Sequence, residues 1–227
     1  DEKELIKVND EKNNSISLRA DSTIDVVRII EKRLGRNTEH KKWFYIQSVF
    51  RYPTDEQNQI GVEFMNETKV SSVLNIAIDI FDKLEVRPLI QISNMMIPKL
   101  LVCMFDELTL EDFRHVNIEK FLSFKLEWLE KLVYLQHVEQ MDELLEIVPQ
   151  TIKTELIKMK NLCGAISCEN SVLAPMYYAK MLYYDELFFR SILGNEVFAR
   201  GGRYKNSELS SVGFAIYTDT IIEEKVK

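Results

Sequence analysis

Cysteine is scarce in this chain of 227 residues, which carries only Cys103, Cys163 and Cys168. Three thiols do not all pair, and so few of them suit a reducing cytoplasm better than a disulfide-stapled exterior. Histidine is equally scarce. His40, His115 and His137 sit in polar or helical contexts, and none lies near Cys163 or Cys168. A metal centre is therefore not expected, and the cysteines read as small buried thiols. No apolar run approaches the about 18 to 20 residues of a membrane span. No charged n-region followed by an apolar h-region opens the chain, so nothing points to secretion. The phosphate-binding pattern GxxxxGK[ST] does not occur, no acid–histidine–nucleophile set is visible, and there is no repeat period, low-complexity tract or cofactor motif. Positive charge is in the minority: 29 Lys and Arg stand against 36 Asp and Glu, a net charge of −7. Phosphate backbones want a basic surface, so nucleic acid is not expected as the main partner.

What is present divides into three stretches. Leu5 to Val8 and Ile16 to Leu18 read as short strands around the polar turn NDEKNN. Asp21-Ser22-Thr23 offers an N-cap to a helix with apolar Val26, Val27, Ile30 and Leu34, and Gly35 stands where a left-handed C-terminal residue belongs. WFYIQSVFRY (43–52) is a long aromatic and β-branched strand that Pro53 ends by removing an N–H. QIGVEFM is its return strand. A helix from Val70 to Leu84 and a strand from Leu89 to Ile92 follow. From Met95 to Leu162 there is no glycine, and Leu, Phe, Met and Glu recur at helical spacing with breaks near Leu108, Asn117 and Pro149. That predicts four or five helices. Strand character returns in MYYAKMLYY, ELFFRSI, EVFARGGRY and SSVGFAIYT, which suggests one mixed sheet interrupted by a helical insertion.

The hairpin SVFRYPTDEQNQIGVEF (48–64) poses the chemical question. Alternation sends Gln59, Gly61, Glu63 and Met65 to one face of the return strand, and Gln47, Val49 and Arg51 share a face of the preceding one. Glycine between a glutamine and a glutamate leaves a floor without a side chain, a shape that suits a ligand lying against the backbone. A carboxylate and an amide suit an N–H-rich or cationic group, and a guanidinium suits a carboxylate, which together match a free amino acid. The competing reading is that Arg51 and Glu63 neutralise each other or face solvent. ARGGRYKN (199–206) is the second unusual stretch, with Gly201-Gly202 read as a sharp turn that brings Arg203 and Tyr204 toward a ligand.

In order along the chain, SLRADSTIDVVRI, YIQSVFRY, NQIGVE, ARGGRY and SVGFAIYTD resemble the catalytic core of the histidyl-tRNA synthetases. The resemblance covers most of the chain outside the helical block. It implies an α+β, class II synthetase-like antiparallel sheet flanked by helices, with 1–94 and 164–227 as two parts of the core and 95–163 as the insertion. It also implies a histidine site made by Asp21 (in place of the usual glutamate), Thr23, Arg51, Gln59, Glu63 and Tyr204. Tyr177 and Tyr178 of LAPMYY stand for the tyrosine pair of the family's RGLDYY segment.

The departures from that family concern ATP. Pro53 stands where a glutamate follows the FR arginine, only TDEQ remains of a long loop, LAPMYY lacks the arginine and aspartate, and Asp219-Thr220 replaces a terminal Glu-Arg. KMLYY also replaces a glycine-containing segment followed by Phe-Glu. Adenylation needs cations around the α-phosphate, so the resemblance implies no catalysis. A core of this kind resembles the regulatory subunits of ATP phosphoribosyltransferase, which in their family assemble with short catalytic subunits under histidine feedback. The expectation is a non-catalytic cytoplasmic regulatory protein, with that catalytic subunit as partner, L-histidine as ligand, and a homodimer or hetero-oligomer as its state. Two alternatives stay open: a synthetase-like scaffold that has lost the amino-acid site, and a ligase with a reshaped ATP site. The chain opens on Asp1 directly into ELIKV and stops soon after the last motif, so a preceding segment is expected and an anticodon-binding domain is not.

Overall fold

The computed structural model describes residues 5–30, 32, 39–53, 55–179, 183–206 and 209–226. Strands β1 (Lys7–Asn9) and β2 (Ser15–Ser17) form a small antiparallel ribbon. Helix α1 (Ser22–Ile29) starts where expected: Asp21 is extended, and its carboxylate accepts a hydrogen bond from the Ile24 N–H at 3.4 Å. Leu34 and Gly35, expected at its end, lie outside the described residues.

Strands β3 (Lys42–Arg51) and β4 (Asp55–Met65) make the predicted hairpin, and helix α2 (Ser71–Lys83) follows. Then come β5 (Leu89–Asn94) and the helices α3 (Met96–Met104), α4 (Leu110–Arg114), α5 (Ile118–Leu122), α6 (Glu127–Val133), α7 (Met141–Ile147) and α8 (Gln150–Gly164), with a 3₁₀ turn at Val138–Gln140. Six helices stand where four or five were expected, because α4 and α5 are single-turn pieces too short to carry their own periodicity. The chain closes with β6 (Ser171–Leu173), β7 (Tyr184–Leu193), β8 (Glu196–Asn206), β9 (Leu209–Tyr217) and α9 (Thr218–Val226). MYYAKMLYY is not a strand over its described residues before Tyr184, where β7 begins. Aromatic content alone suggested the strand, but Tyr177 and Tyr178 are used for packing across the sheet and the helices.

The main sheet has the order β3-β4-β9-β8-β7-β5-β6, antiparallel throughout except for the parallel pair β5–β6. Two of its six pairings, β4–β9 and β7–β5, join strands that are not consecutive along the chain. One face packs on α2, whose Val73, Leu74, Ala77, Ile78 and Phe81 are buried. Burial of such a stripe, at about 25 cal/mol per Å² of apolar surface, is what holds α2 to the sheet. The helical block docks through α3 and α8 against β5 and β7, and its buried Phe113, Phe121, Leu129 and Leu132 are continuous with the core beneath the sheet. On the edge strand β3, Phe44 and Ile46 are 75% and 70% exposed, while Tyr45 on the opposite face is buried. The buried polar side chains of the hairpin, Gln59 and Glu63, share the Tyr45 face.

Gly201 and Gly202 lie in the middle of β8, paired to β7 and β9, and neither has a positive φ. The sharp turn expected there is absent. Steric room is the reason for the glycines. A Cβ on Gly201 would come within 2.6 Å of the Gly213 carbonyl and the Phe189 ring, and one on Gly202 within 2.5 Å of the Leu187 carbonyl.

Candidate functional site

Strand register sets the site. Gln59, Gly61 and Glu63 of β4 face the same way as Gln47, Tyr45 and Trp43, their partners on β3. On the other side they meet Tyr217, Ala215 and Gly213 of β9. Next to β9, Gly202 of β8 stands opposite Gly213, and Tyr204 follows two residues on. Tyr184 of β7 pairs with Tyr204. Residues from four distant segments thus line one sheet face, above which α1 brings Asp21 and Thr23.

Glu63 is the centre of this cluster. It is fully buried, and its Oε2 accepts a hydrogen bond from the Tyr204 hydroxyl at 2.7 Å. Its Oε1 is buried with no hydrogen-bond partner among the described residues. Burial pushes its pKa up to about 8, opposed in part by the Tyr204 hydroxyl and the nearby Thr23, with the Asp21 charge adding to the rise. An unoccupied lone-pair region on a buried carboxyl is unusual, and an N–H from a ligand is the chemistry that satisfies it.

Around Glu63 the hydroxyls are ordered. Thr23 Oγ1 and the Tyr45 hydroxyl are 3.2 Å apart. The Tyr183 hydroxyl donates to Asp21 Oδ2 at 3.1 Å. Burial raises the Asp21 pKa, and the positive charge of Arg51 is among the influences that lower it. Gln59 is 3% exposed, and the Gln47 Oε1 alongside is buried with no partner among the described residues. Two carboxyls and two amides around one sheet face favour a ligand rich in N–H groups.

Of the residues expected from the sequence, Asp21, Thr23, Glu63 and Tyr204 are brought together, with Gln59 on the same face and Arg51 electrostatically linked to Asp21. Glu63 is hydrogen-bonded to Tyr204, and among the described residues it forms no ion pair with Arg51 across the hairpin. Tyr177 and Tyr178 make their described contacts elsewhere. Tyr177 stacks on Phe188 and lies under the Arg190 guanidinium at 4.2 Å, and Tyr178 faces Arg114 of α4 at 5.7 Å.

The floor above Gly61 is not bare. The Tyr45 ring lies on it, so close that a Cβ at Gly61 would collide with the ring. Gly213 likewise makes room for the Glu63 carboxyl, and Gly202 for Tyr184. Sequence reasoning missed Tyr45, Tyr183 and Tyr184. For Tyr45 a signal was available, since pairing the hairpin in register sets an aromatic ring opposite a glycine.

These features are those of a class II synthetase-type core. The histidyl-tRNA synthetase family profile matches residues 1–221. A solved ATP phosphoribosyltransferase regulatory subunit/histidyl-tRNA synthetase from Bacillus halodurans superposes with a TM-score of 0.84 at 19% identity, over 97% of this chain and 68% of that one. The HisG:HisZ ATP phosphoribosyl transferase complex from Thermotoga maritima contains a chain that superposes at a TM-score of 0.70 and 19% identity, over 93% of this chain and 85% of that one. Sequence similarity is closer in two curated proteins, both named ATP phosphoribosyltransferase regulatory subunit. The one from Wolinella succinogenes is 45% identical over 98% of this chain and 77% of its own length, and the one from Helicobacter hepaticus is 36% identical over 97% and 78%. The chain belongs to the ATP phosphoribosyltransferase regulatory subunit family, within the histidyl-tRNA synthetase-like proteins.

Proposed function

We propose that this chain is a non-catalytic regulatory subunit of ATP phosphoribosyltransferase in histidine biosynthesis, bound in the cytoplasm to the catalytic subunit, and that the Glu63 cluster is its seat for L-histidine. The names of the relatives support the first half. The single observation that carries the second is the buried Glu63 carboxyl, with one oxygen taken by Tyr204 and the other unpartnered. An imidazole N–H fits that oxygen, and Asp21 with the amides of Gln59 and Gln47 suits the α-ammonium group. Such a ligand biases an assembly between states only to the extent that it binds them with different affinity.

Catalysis is not part of this reading. Asp219, at the place of the family's terminal glutamate, accepts hydrogen bonds from the backbone N–H and side-chain amide of Asn58 at 2.6 and 3.2 Å, tying α9 to β4. Histidine-dependent exchange of pyrophosphate into ATP is expected to be absent.

Calorimetric titration of the purified protein with L-histidine, other amino acids serving as controls, tests the site. Selective binding is expected, weakened at least tenfold in Glu63→Ala. That factor follows from loss of a charge-assisted hydrogen bond of about 1.5–3 kcal/mol. A second reading, a scaffold whose amino-acid site is a relic, is favoured by the Tyr45 ring covering Gly61. Absence of binding to any amino acid decides for it. Size-exclusion chromatography with light scattering, alone and with the catalytic subunit, reads the assembly state.

A further inference from the structure

A second group of charged residues lies on the same sheet face, away from Glu63. Arg190 of β7 and Arg200 of β8 are paired directly across the two strands. By two strand spacings and two residues of rise, Arg200 stands about 12 Å in Cα distance from Glu63. Like charges opposite one another destabilise a sheet, so the partners of such a pair matter.

Those partners are neutral. Arg190 donates from Nε and Nη2 to Gln91 Oε1 at 3.1 and 2.8 Å, and its guanidinium lies over the Tyr177 ring. Arg200 donates from Nη1 to the Tyr217 hydroxyl at 3.2 Å and lies over that ring at 5.6 Å. Among the described residues neither forms an ion pair with a carboxylate. Arg203, three residues beyond Arg200 on the opposite face, shows the contrast: it is paired with Asp185 at 3.1 Å and with Glu186. Beyond Gln91, Tyr177 and Tyr217, the N–H groups of Arg190 and Arg200 meet no carboxylate among the described residues. Both side chains are half-buried. Gln91 is buried and Tyr217 fully so, which fixes the two forks from behind.

We propose that Arg190 and Arg200 form an oxyanion site for a phosphoryl group. Two adjacent guanidinium groups with no carboxylate between them carry two uncompensated charges. A phosphoryl dianion matches both, whereas a single carboxylate leaves one unpaired. Guanidinium forks also fit the tetrahedral arrangement of phosphoryl oxygens through paired N–H···O bonds. Burial, and then the neighbouring Arg200, act to pull the Arg190 pKa below its ordinary value, and a bound anion offsets that repulsion. The site does not depend on the histidine reading, because neither arginine is among the residues assigned to histidine. The same chemistry is carried by free phosphate, by pyrophosphate and by a phosphate monoester.

The test is a titration of the purified protein with inorganic phosphate, pyrophosphate and AMP, followed by calorimetry at constant ionic strength. Saturable binding of at least one is expected, weakened tenfold or more in Arg200→Gln and lost in the Arg190→Gln/Arg200→Gln double variant. Arg200→Lys, which keeps the charge but not the fork, is expected to fall between. Binding of phosphate or pyrophosphate means that the phosphoryl group alone suffices, and binding of AMP alone means that a nucleotide presents it. No saturable binding in the wild type at millimolar concentrations overturns the proposal, whatever the variants do. So does binding that is unchanged in a folded Arg200→Gln or Arg200→Lys protein, with folding read by circular dichroism.

Discussion

Gly202→Ala is expected to lower stability by about 3 kcal/mol, the upper end of the ordinary range for overpacking a core. The new methyl group would lie 2.5 Å from the Leu187 carbonyl oxygen and 2.9 Å from the Phe188 Cα. Both are backbone atoms of β7 held in the ladder, so neither moves without breaking strand pairing. β8 is also internal, hydrogen-bonded on both sides, and has no edge toward which to shift. For a domain of this size that loss corresponds to a Tm lower by roughly 6–12 °C. Gly164→Ala, at the end of α8 where a Cβ meets nothing within 4 Å, is the matched control and is expected to be neutral or slightly stabilising. Thermal melts of the two variants beside the wild type check this. Similar melting temperatures for both would mean that the sheet relaxes around position 202 and that the paired glycines are not there for space.

The second large effect belongs to Glu63. A carboxyl whose pKa is about 8 in the folded protein and ordinary in the unfolded chain binds more protons folded than unfolded between those values. Its contribution is therefore fully present below the unfolded pKa of about 4.3, and is lost progressively as pH rises through about 8. Glu63→Gln keeps the shape and an acceptor for the Tyr204 hydroxyl but does not titrate. Relative to the wild type, this variant is expected to gain on the order of 4 kcal/mol between pH 5 and pH 9. Distant titrating groups cancel in the difference. Urea unfolding of both proteins at the two pH values reads it directly, and parallel pH dependences would show that Glu63 ionises freely and is not buried as described.

The same titration sets a window for histidine. Between the imidazole pKa of about 6.5 and the Glu63 pKa of about 8, ligand and carboxyl together hold the one proton that the bound pair shares. Below the window a proton must leave on binding, and above it one must be taken up. Affinity is expected to be greatest inside the window and to fall about tenfold per pH unit on either side. A calorimetric series from pH 5 to pH 10 checks the shape, and a flat profile would remove Glu63 from the binding step.

Much of this was legible along the chain because the relevant patterns are local. Period-two alternation placed Gln59, Gly61 and Glu63 on one face of β4, and an Asp-Ser-Thr cap placed the start of α1, without any knowledge of the neighbours. The five blocks in order carried the resemblance to the synthetase core. The Gly201-Gly202 pair misled, since a double glycine signals a turn unless the strands on both sides are known. Where the neighbours decide, the sequence is silent. The order β3-β4-β9-β8-β7-β5-β6 sets β9 between β4 and β8, and that arrangement puts Tyr204 on a carboxyl 141 residues away. It also sets Arg190 against Arg200, and lays Tyr183 on Asp21 across 162 residues. Backbone hydrogen bonds pair any two strands alike. Which strands meet is settled only when α2 and the helical block bury their apolar faces together, so the amino-acid sequence alone determined the contents of each strand, and tertiary packing decided which contents face one another.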